Sequence, residues 1–142
     1  MLKNTLFSFL EFISRFIVIN KFNKLEQKKI NLGCGLTVAS GWLNIDGSLN
    51  AFISVLPTFL IKIIYKFSGA RNHFKQENYI SILKNHLFMC LDLKKKLPFR
   101  SNSVNFIYSS HFLEHLEEEH CNNILSESFR ILCHGGLIRI AV

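Results

Sequence analysis

Acidic residues and prolines are few in this 142-residue chain, and closely spaced cysteine pairs are absent. With only two prolines and 49% hydrophobic residues, a disordered or proline-rich linker protein is excluded. The four cysteines (Cys34, Cys90, Cys121, Cys133) contain no CxxC pair. Neither a disulfide framework nor a structural zinc site is indicated, and a reducing, cytoplasmic setting is expected. No apolar run reaches the roughly 20 residues that a bilayer crossing needs. Glu11 and Arg15 break the first apolar stretch, which also argues against a secretory signal there. Pro57, Lys62 and Lys66 break the second, over residues 51–67.

Ten acidic residues stand against 17 Lys and Arg, a net charge of +7. That balance admits nucleic acid or an anionic membrane surface as partner. The 14 phenylalanines, with many Ile, Asn and Lys, also fit the compositional bias of an AT-rich genome, so charge alone selects no partner. A chain of this length buries roughly 68–70% of its unfolded surface, enough for one domain.

Leu2, Leu6, Phe9, Leu10, Ile13, Phe16 and Ile17 recur at helical spacing, with Lys3, Asn4, Glu11, Ser14 and Arg15 opposite. This predicts an amphipathic helix over residues 1–20, its apolar stripe turned to the core or else to a membrane interface. The helix and a basic linker occupy residues 1–27, and a single domain follows over 28–142 with an insertion at 47–86. Short apolar runs at 28–32, 42–46, 87–91, 104–109 and 137–142 read as strands bounded by turn residues. Residues 117–132 read as a helix, with Ile124, Leu125, Phe129 and Leu132 on one face, Glu117 to Glu119 at its start and Arg130 near its end. Strands that are apolar throughout and alternate with helices predict an α/β protein with a parallel sheet covered on both faces.

The chemistry-bearing residues stand at strand ends. Asn31-Leu32-Gly33-Cys34-Gly35 closes the first strand with two glycines that let the backbone turn sharply and approach a ligand. Gly41-Trp42-Leu43-Asn44-Ile45-Asp46 ends the second in a carboxylate suited to a ribose diol. Asp92-Leu93, Leu97-Pro98-Phe99, Tyr108-Ser109-Ser110-His111 and Glu114-His115-Leu116 follow in order.

In that order these motifs resemble the class I S-adenosylmethionine-dependent methyltransferases, in the methyltransferase type 11 branch that reads NLGCG, GWxNID, DLxxxLPF, SSHxLEH and RxLxxGG. The resemblance covers residues 28–142. It implies a Rossmann-like doubly wound parallel sheet of order 3-2-1-4-5 and a final hairpin that is missing, so a truncated domain is expected. It also implies that Gly33, Cys34 and Gly35 line the methionine and ribose of S-adenosylmethionine. Asp46 would hold the ribose hydroxyls. Asp92 would meet the adenine amino group beside the Leu93 backbone, and the edge containing Ser109 would face the methyl group. Many relatives carry an acid where Asn31 stands, and an amide offers the cofactor no charge. Because the sulfonium is already activated, acceleration would come mainly from positioning the acceptor, with His111 or His115 as candidate base.

Only ten residues separate Gly35 from Asp46, so the first crossover is expected to be a loop or single turn, with the 47–86 insertion capping the site. The fifth strand would present an open edge, to be covered by another chain or by the N-terminal helix. The expected function is methyl transfer to a small-molecule or sugar-containing acceptor. Three alternatives stand beside it. One is a non-catalytic, methyltransferase-like partner subunit. Another is an HxxEH zinc hydrolase using His111, Glu114 and His115. The last is a nucleic-acid or membrane-surface module using Lys62, Lys66, Arg71, Lys75, Lys84 and Lys94 to Lys96, in which nucleic acid is disfavoured because no recognition motif accompanies the charges.

Overall fold

A computed structural model of the protein describes residues 2–142, with side chains described for Phe9, Phe12 and everything from Ile13 onward. The elements run α1 (Leu2–Asn23), β1 (Lys29–Leu32), β2 (Leu43–Asp46), α2 (Leu49–Ile53), α3 (Thr58–Phe67), α4 (Gln76–Asn85), β3 (Leu87–Cys90), β4 (Val104–Ser110), α5 (Glu118–Ile131) and β5 (Leu132–Ala141). Short 3-10 turns occupy Gly69–Asn72 and Leu113–His115. The five strands form one parallel sheet of order β3-β2-β1-β4-β5, the order implied by the motif resemblance.

Alternation along the strands sorts the side chains into two faces. Parallel register aligns Leu87, Leu43, Ile30 and Ile107 in one row and Met89, Ile45 and Leu32 in the next. These rows meet Val18 and Phe22 of α1 and Ile124 and Ile131 of α5 in the main core. On the opposite face Phe88 and Cys90 pack with Ala51, Ile53, Ile61, Tyr79 and Leu83 from α2, α3 and α4. The 47–86 segment is thus a three-helix crossover laid on the sheet.

The link from β1 to β2 contains no helix, as its length requires. Two buried amides take the helix's place. Asn31 Nδ2 donates to Thr37 O (3.0 Å) and to Asn44 Oδ1 (3.1 Å). Asn44 in turn accepts from Ala39 N and donates to the carbonyls of Ala39, Trp42 and Leu87. The loop is laced to the sheet by side chains, and removing either amide would strand buried backbone groups at about 1–3 kcal/mol each.

The orientation of α1 overturns the expected stripe. Ser14, Val18 and Phe22, spaced i, i+4, i+8, form the buried face, whereas Phe9, Phe16 and Ile17 are 58%, 67% and 44% exposed. Leu2, Leu6 and Leu10 lie outside the described side chains. A small residue decides the outcome: Ser14 lets the helix approach the outer edge of β3, where its Oγ accepts from Cys90 N at 2.9 Å. That bond satisfies an edge-strand donor that would otherwise invite pairing. α1 therefore guards β3, at the opposite end of the sheet from β5, and the expectation that it covers the β5 edge is also corrected.

Candidate cofactor crevice

The crevice opens at the carboxyl ends of β1 and β4, where the chain turns toward β2 on one side and β5 on the other. Such a reversal of strand order leaves a gap between loops in open parallel sheets. Here it is a cavity of about 260 Å³ lined by Asn31, Gly33, Cys34, Gly35, Leu36, Thr37, Tyr108, Ser110 and His111.

The glycine loop is fixed by β2. Gly33 N and Cys34 N both donate to Ile45 O, and Gly35 N donates to Asp46 Oδ2 at 2.8 Å. Asp46 Oδ1 accepts from Ser48 N at 2.7 Å, so this carboxylate holds the turn that follows β2 as well as the loop. Gly33 and Gly35 both adopt left-handed backbone, φ +64° and +53°, yet they differ in surroundings. A Cβ at Gly33 would lie 2.1 Å from Cγ of Phe112, whose ring presses on the loop from below. A Cβ at Gly35 would meet nothing within 4 Å and would stand in the open space at the crevice. The missing side chain at Gly33 is demanded by packing, and the one at Gly35 is not.

Cys34 is buried, and burial, reinforced by the Asp46 carboxylate, pushes its thiol far above the usual range. It lines the crevice as a thiol whose burial disfavours the thiolate that a nucleophile needs.

Of the expected site residues, Asn31, Gly33, Cys34, Gly35 and His111 line the crevice, and Asp46 joins them through Gly35. Asn31 is only 4% exposed and spends its amide group on the loop. Asp92 and Leu93 are not among the lining residues. Asp92 Oδ1 accepts from Lys94 N and its other oxygen lies 3.5 Å from Lys95 Nζ, while the Leu93 side chain belongs to the core, so only its backbone is available to a ligand. Strand alternation sends Ser109 to the face opposite Tyr108 and Ser110, where its Oγ is buried with no hydrogen-bond partner among the described residues. Leu36 and Thr37 were not singled out by motif. The brevity of the β1 to β2 link was the signal, since a loop in place of a helix must cross the crevice mouth.

His111 sits at φ +50°, a sparsely populated conformation for a residue with a Cβ. Its backbone N–H donates to Ala141 O of β5, and its Nδ1 lies 3.3 Å from Glu114 Oε1. The ring is 78% exposed at the crevice rim. His115 lies one 3-10 turn further on and is not a lining residue. The HxxEH zinc reading needs both histidines on one face of an α-helix, whereas the left-handed residue and single 3-10 turn put them on irregular backbone. Among the described residues no three His, Cys, Asp or Glu side chains gather as a metal site.

The loop carrying Leu97-Pro98-Phe99 is clasped by α5. Glu127 Oε2 accepts from Leu97 N, and both its oxygens take a fork of bonds from Arg130 at 2.7 Å. Arg130 also donates to the carbonyls of Leu97 and Phe99. The guanidinium holds the Glu127 carboxyl below its ordinary range.

A family model described as a methyltransferase domain matches residues 30–140. A search of curated proteins gives no match. Among solved structures, a Pyrococcus horikoshii protein is similar at 18% identity and TM-score 0.51, over 89% of this chain and 54% of its own. Haemonchus contortus phosphoethanolamine N-methyltransferase 1, in complex with phosphoethanolamine and S-adenosylhomocysteine, is similar at 17% identity and TM-score 0.52, over 94% of this chain and 26% of its own. An S-adenosylmethionine-dependent methyltransferase from Mesorhizobium loti gives 18% identity and TM-score 0.47, over 89% and 52%. The chain thus spans about half the length, or less, of these structural relatives.

Proposed function

Since this chain belongs to the methyltransferase-domain family, whose cofactor is S-adenosylmethionine, we propose that its crevice holds the cofactor and serves methyl transfer to a small-molecule or sugar-containing acceptor. The observation that carries the reading is that Gly35, left-handed, tied to Asp46 and with open space at its Cβ position, lines the cavity. The residues present fit the group. When bound, it supplies a sulfonium-activated methyl.

In this reading Gly33, Cys34 and Gly35 cradle the methionine and ribose without steric obstruction. Asp46 both fixes the loop and keeps lone pairs for the ribose hydroxyls, because each carboxylate oxygen can accept more than the one bond recorded. Asn31 presents a neutral wall where an acid would add charge, and Asp92 with the Leu93 backbone is assigned to the adenine. Tyr108 and Ser110, on the crevice face of β4, form the strand edge assigned to the acceptor, and Ser109, on the opposite face, takes no part. His111 is the better placed base. Glu114 engages its Nδ1, which leaves Nε2 for the proton of a hydroxyl or amine acceptor. His115 closes the same turn through its backbone N–H, which donates to Phe112 O.

A second reading, a partner subunit without turnover, has its own support. β5 is an edge strand, and Leu137, Val142 and the nearby Phe129 of α5 are 63%, 76% and 83% exposed. Exposed apolar groups beside open backbone suit a covering chain, of this protein or another. No helix among the described residues is long and apolar enough to cross a membrane, and a cytoplasmic setting is proposed.

Equilibrium dialysis against S-adenosylmethionine, S-adenosylhomocysteine, ATP and NAD tests the cofactor assignment. Retention of the first two alone is expected, and equal retention of ATP or NAD would overturn it. Cofactor retention without transfer of labelled methyl to any hydroxyl or amine acceptor would favour the partner-subunit reading.

A further inference from the structure

Among the described residues, one side of α3 has no protein partner. Ile61 is fully buried against the second core, and Tyr65 donates to Phe74 O, which fixes the inward side of the helix. The outward side carries Phe59, Ile63 and Phe67 at i, i+4 and i+8, exposed by 63%, 51% and 87%. At 100° per residue, Lys62 and Lys66 fall along one border of that stripe, and both are exposed.

Charge identifies what this surface fits. From residue 47 to residue 76 the chain contains no Asp or Glu, while Lys62, Lys66, Arg71 and Lys75 all lie there and are exposed. A second copy packing α3 on α3 would set lysine against lysine with no acid in the segment to relieve it. An anionic partner meets no such opposition. A stripe of aromatic and branched apolar side chains with lysines on its flank is the pattern that lies in the interface of an anionic bilayer, its apolar groups at the acyl boundary and its ammonium groups among the lipid phosphates.

We propose that α3 docks this protein on an anionic lipid surface, with Phe59, Ile63 and Phe67 inserting and Lys62, Lys66, Arg71 and Lys75 binding headgroups. The assignment is independent of the cofactor crevice, whose lining includes no residue of α3. A domain seated this way keeps its sheet in water and holds its position by a single short helix, so binding is reversible and sensitive to salt.

Co-sedimentation of the 142-residue chain with phosphatidylcholine vesicles, with and without about one-third phosphatidylserine, tests it. Binding is expected to the anionic vesicles only. It should fall about tenfold or more in both F59S/F67S and K62Q/K66Q, each of which melts like the wild type because the altered side chains are exposed. F12S/F16S, on the exposed side of α1, should retain binding. Failure to sediment with anionic vesicles, binding that survives both α3 variants, or loss in the α1 variant alone would overturn the proposal. So would a dimer in sedimentation velocity that F59S/F67S dissolves.

Discussion

The two glycines of the β1 loop should respond in opposite ways to the same substitution. Gly33→Ala places a methyl carbon 2.1 Å from the Phe112 ring on backbone at φ +64°. Left-handed strain costs about 1–2 kcal/mol, and forcing a methyl into a packed contact about 1–3 kcal/mol more. The sum is roughly 2–5 kcal/mol, which for a chain near this length lowers Tm by about 6–20 °C. Gly35→Ala has the strain without the contact, since nothing lies within 4 Å of its Cβ. It should lose only about 1–2 kcal/mol of stability, but its methyl enters the cofactor space, so S-adenosylmethionine affinity should drop at least tenfold. Differential scanning calorimetry with and without S-adenosylhomocysteine separates the two effects. If Gly33→Ala melts with the wild type, or if Gly35→Ala is the less stable of the pair while binding cofactor normally, the division of labour between packing and cradle is wrong.

Other perturbations follow from the same contacts. Glu127→Gln weakens the charged fork with Arg130 and should cost about 1–3 kcal/mol in urea unfolding at neutral pH. Because the folded Glu127 carboxyl is held below its ordinary range, its contribution is present above the unfolded pKa and disappears as pH falls through the folded one. The wild type and variant should therefore converge in strongly acidic buffer, and a constant gap down to pH about 2 would refute the assignment. Cys34, buried and with its thiol pushed up, should resist iodoacetamide at mildly alkaline pH while the half-buried Cys121 and Cys133 react. Peptide mass spectrometry reads the order of labelling, and Cys34 labelled first would contradict its burial.

The carboxyl ends of β1 to β4 were legible because each of these strands is a short apolar run closed by a residue with distinct chemistry, and the strand order was legible only through the motif resemblance. The span of α5 was legible from its acidic start at Glu117 and Arg130 near its end, but β5 begins at Leu132 rather than Leu137, so His134, Gly135 and Gly136 lie inside the strand, where its register with β4 shifts. The buried face of α1 was not legible. Phe9, Phe12, Ile13, Phe16 and Ile17 fall on one arc of the helix and Val18 and Phe22 on the other side, so periodicity marks the broader stripe while a serine's fit to the β3 edge buries the narrower one. Asn31 read as a cofactor residue from its place in the motif. Its tie to Asn44 depends on strand pairing across 13 positions, which local pattern does not reveal. Arg130 read as a helix-dipole complement, yet its stronger role is to clasp the Leu97 to Phe99 loop. The 47–86 insertion read as a cap on the site. It instead covers the sheet at β3, because Phe88 and Cys90 need an apolar partner on that face.

Calorimetric titration of the chain with S-adenosylmethionine, beside Asp46→Ala, tests the cofactor crevice most directly. The account predicts saturable binding by the wild type and a loss of at least tenfold, about 1.4 kcal/mol, in the variant, which forfeits both the ribose acceptor and the anchor of Gly35. A folded wild-type chain that gives no saturable heat, or an Asp46→Ala chain that binds as tightly, would contradict it.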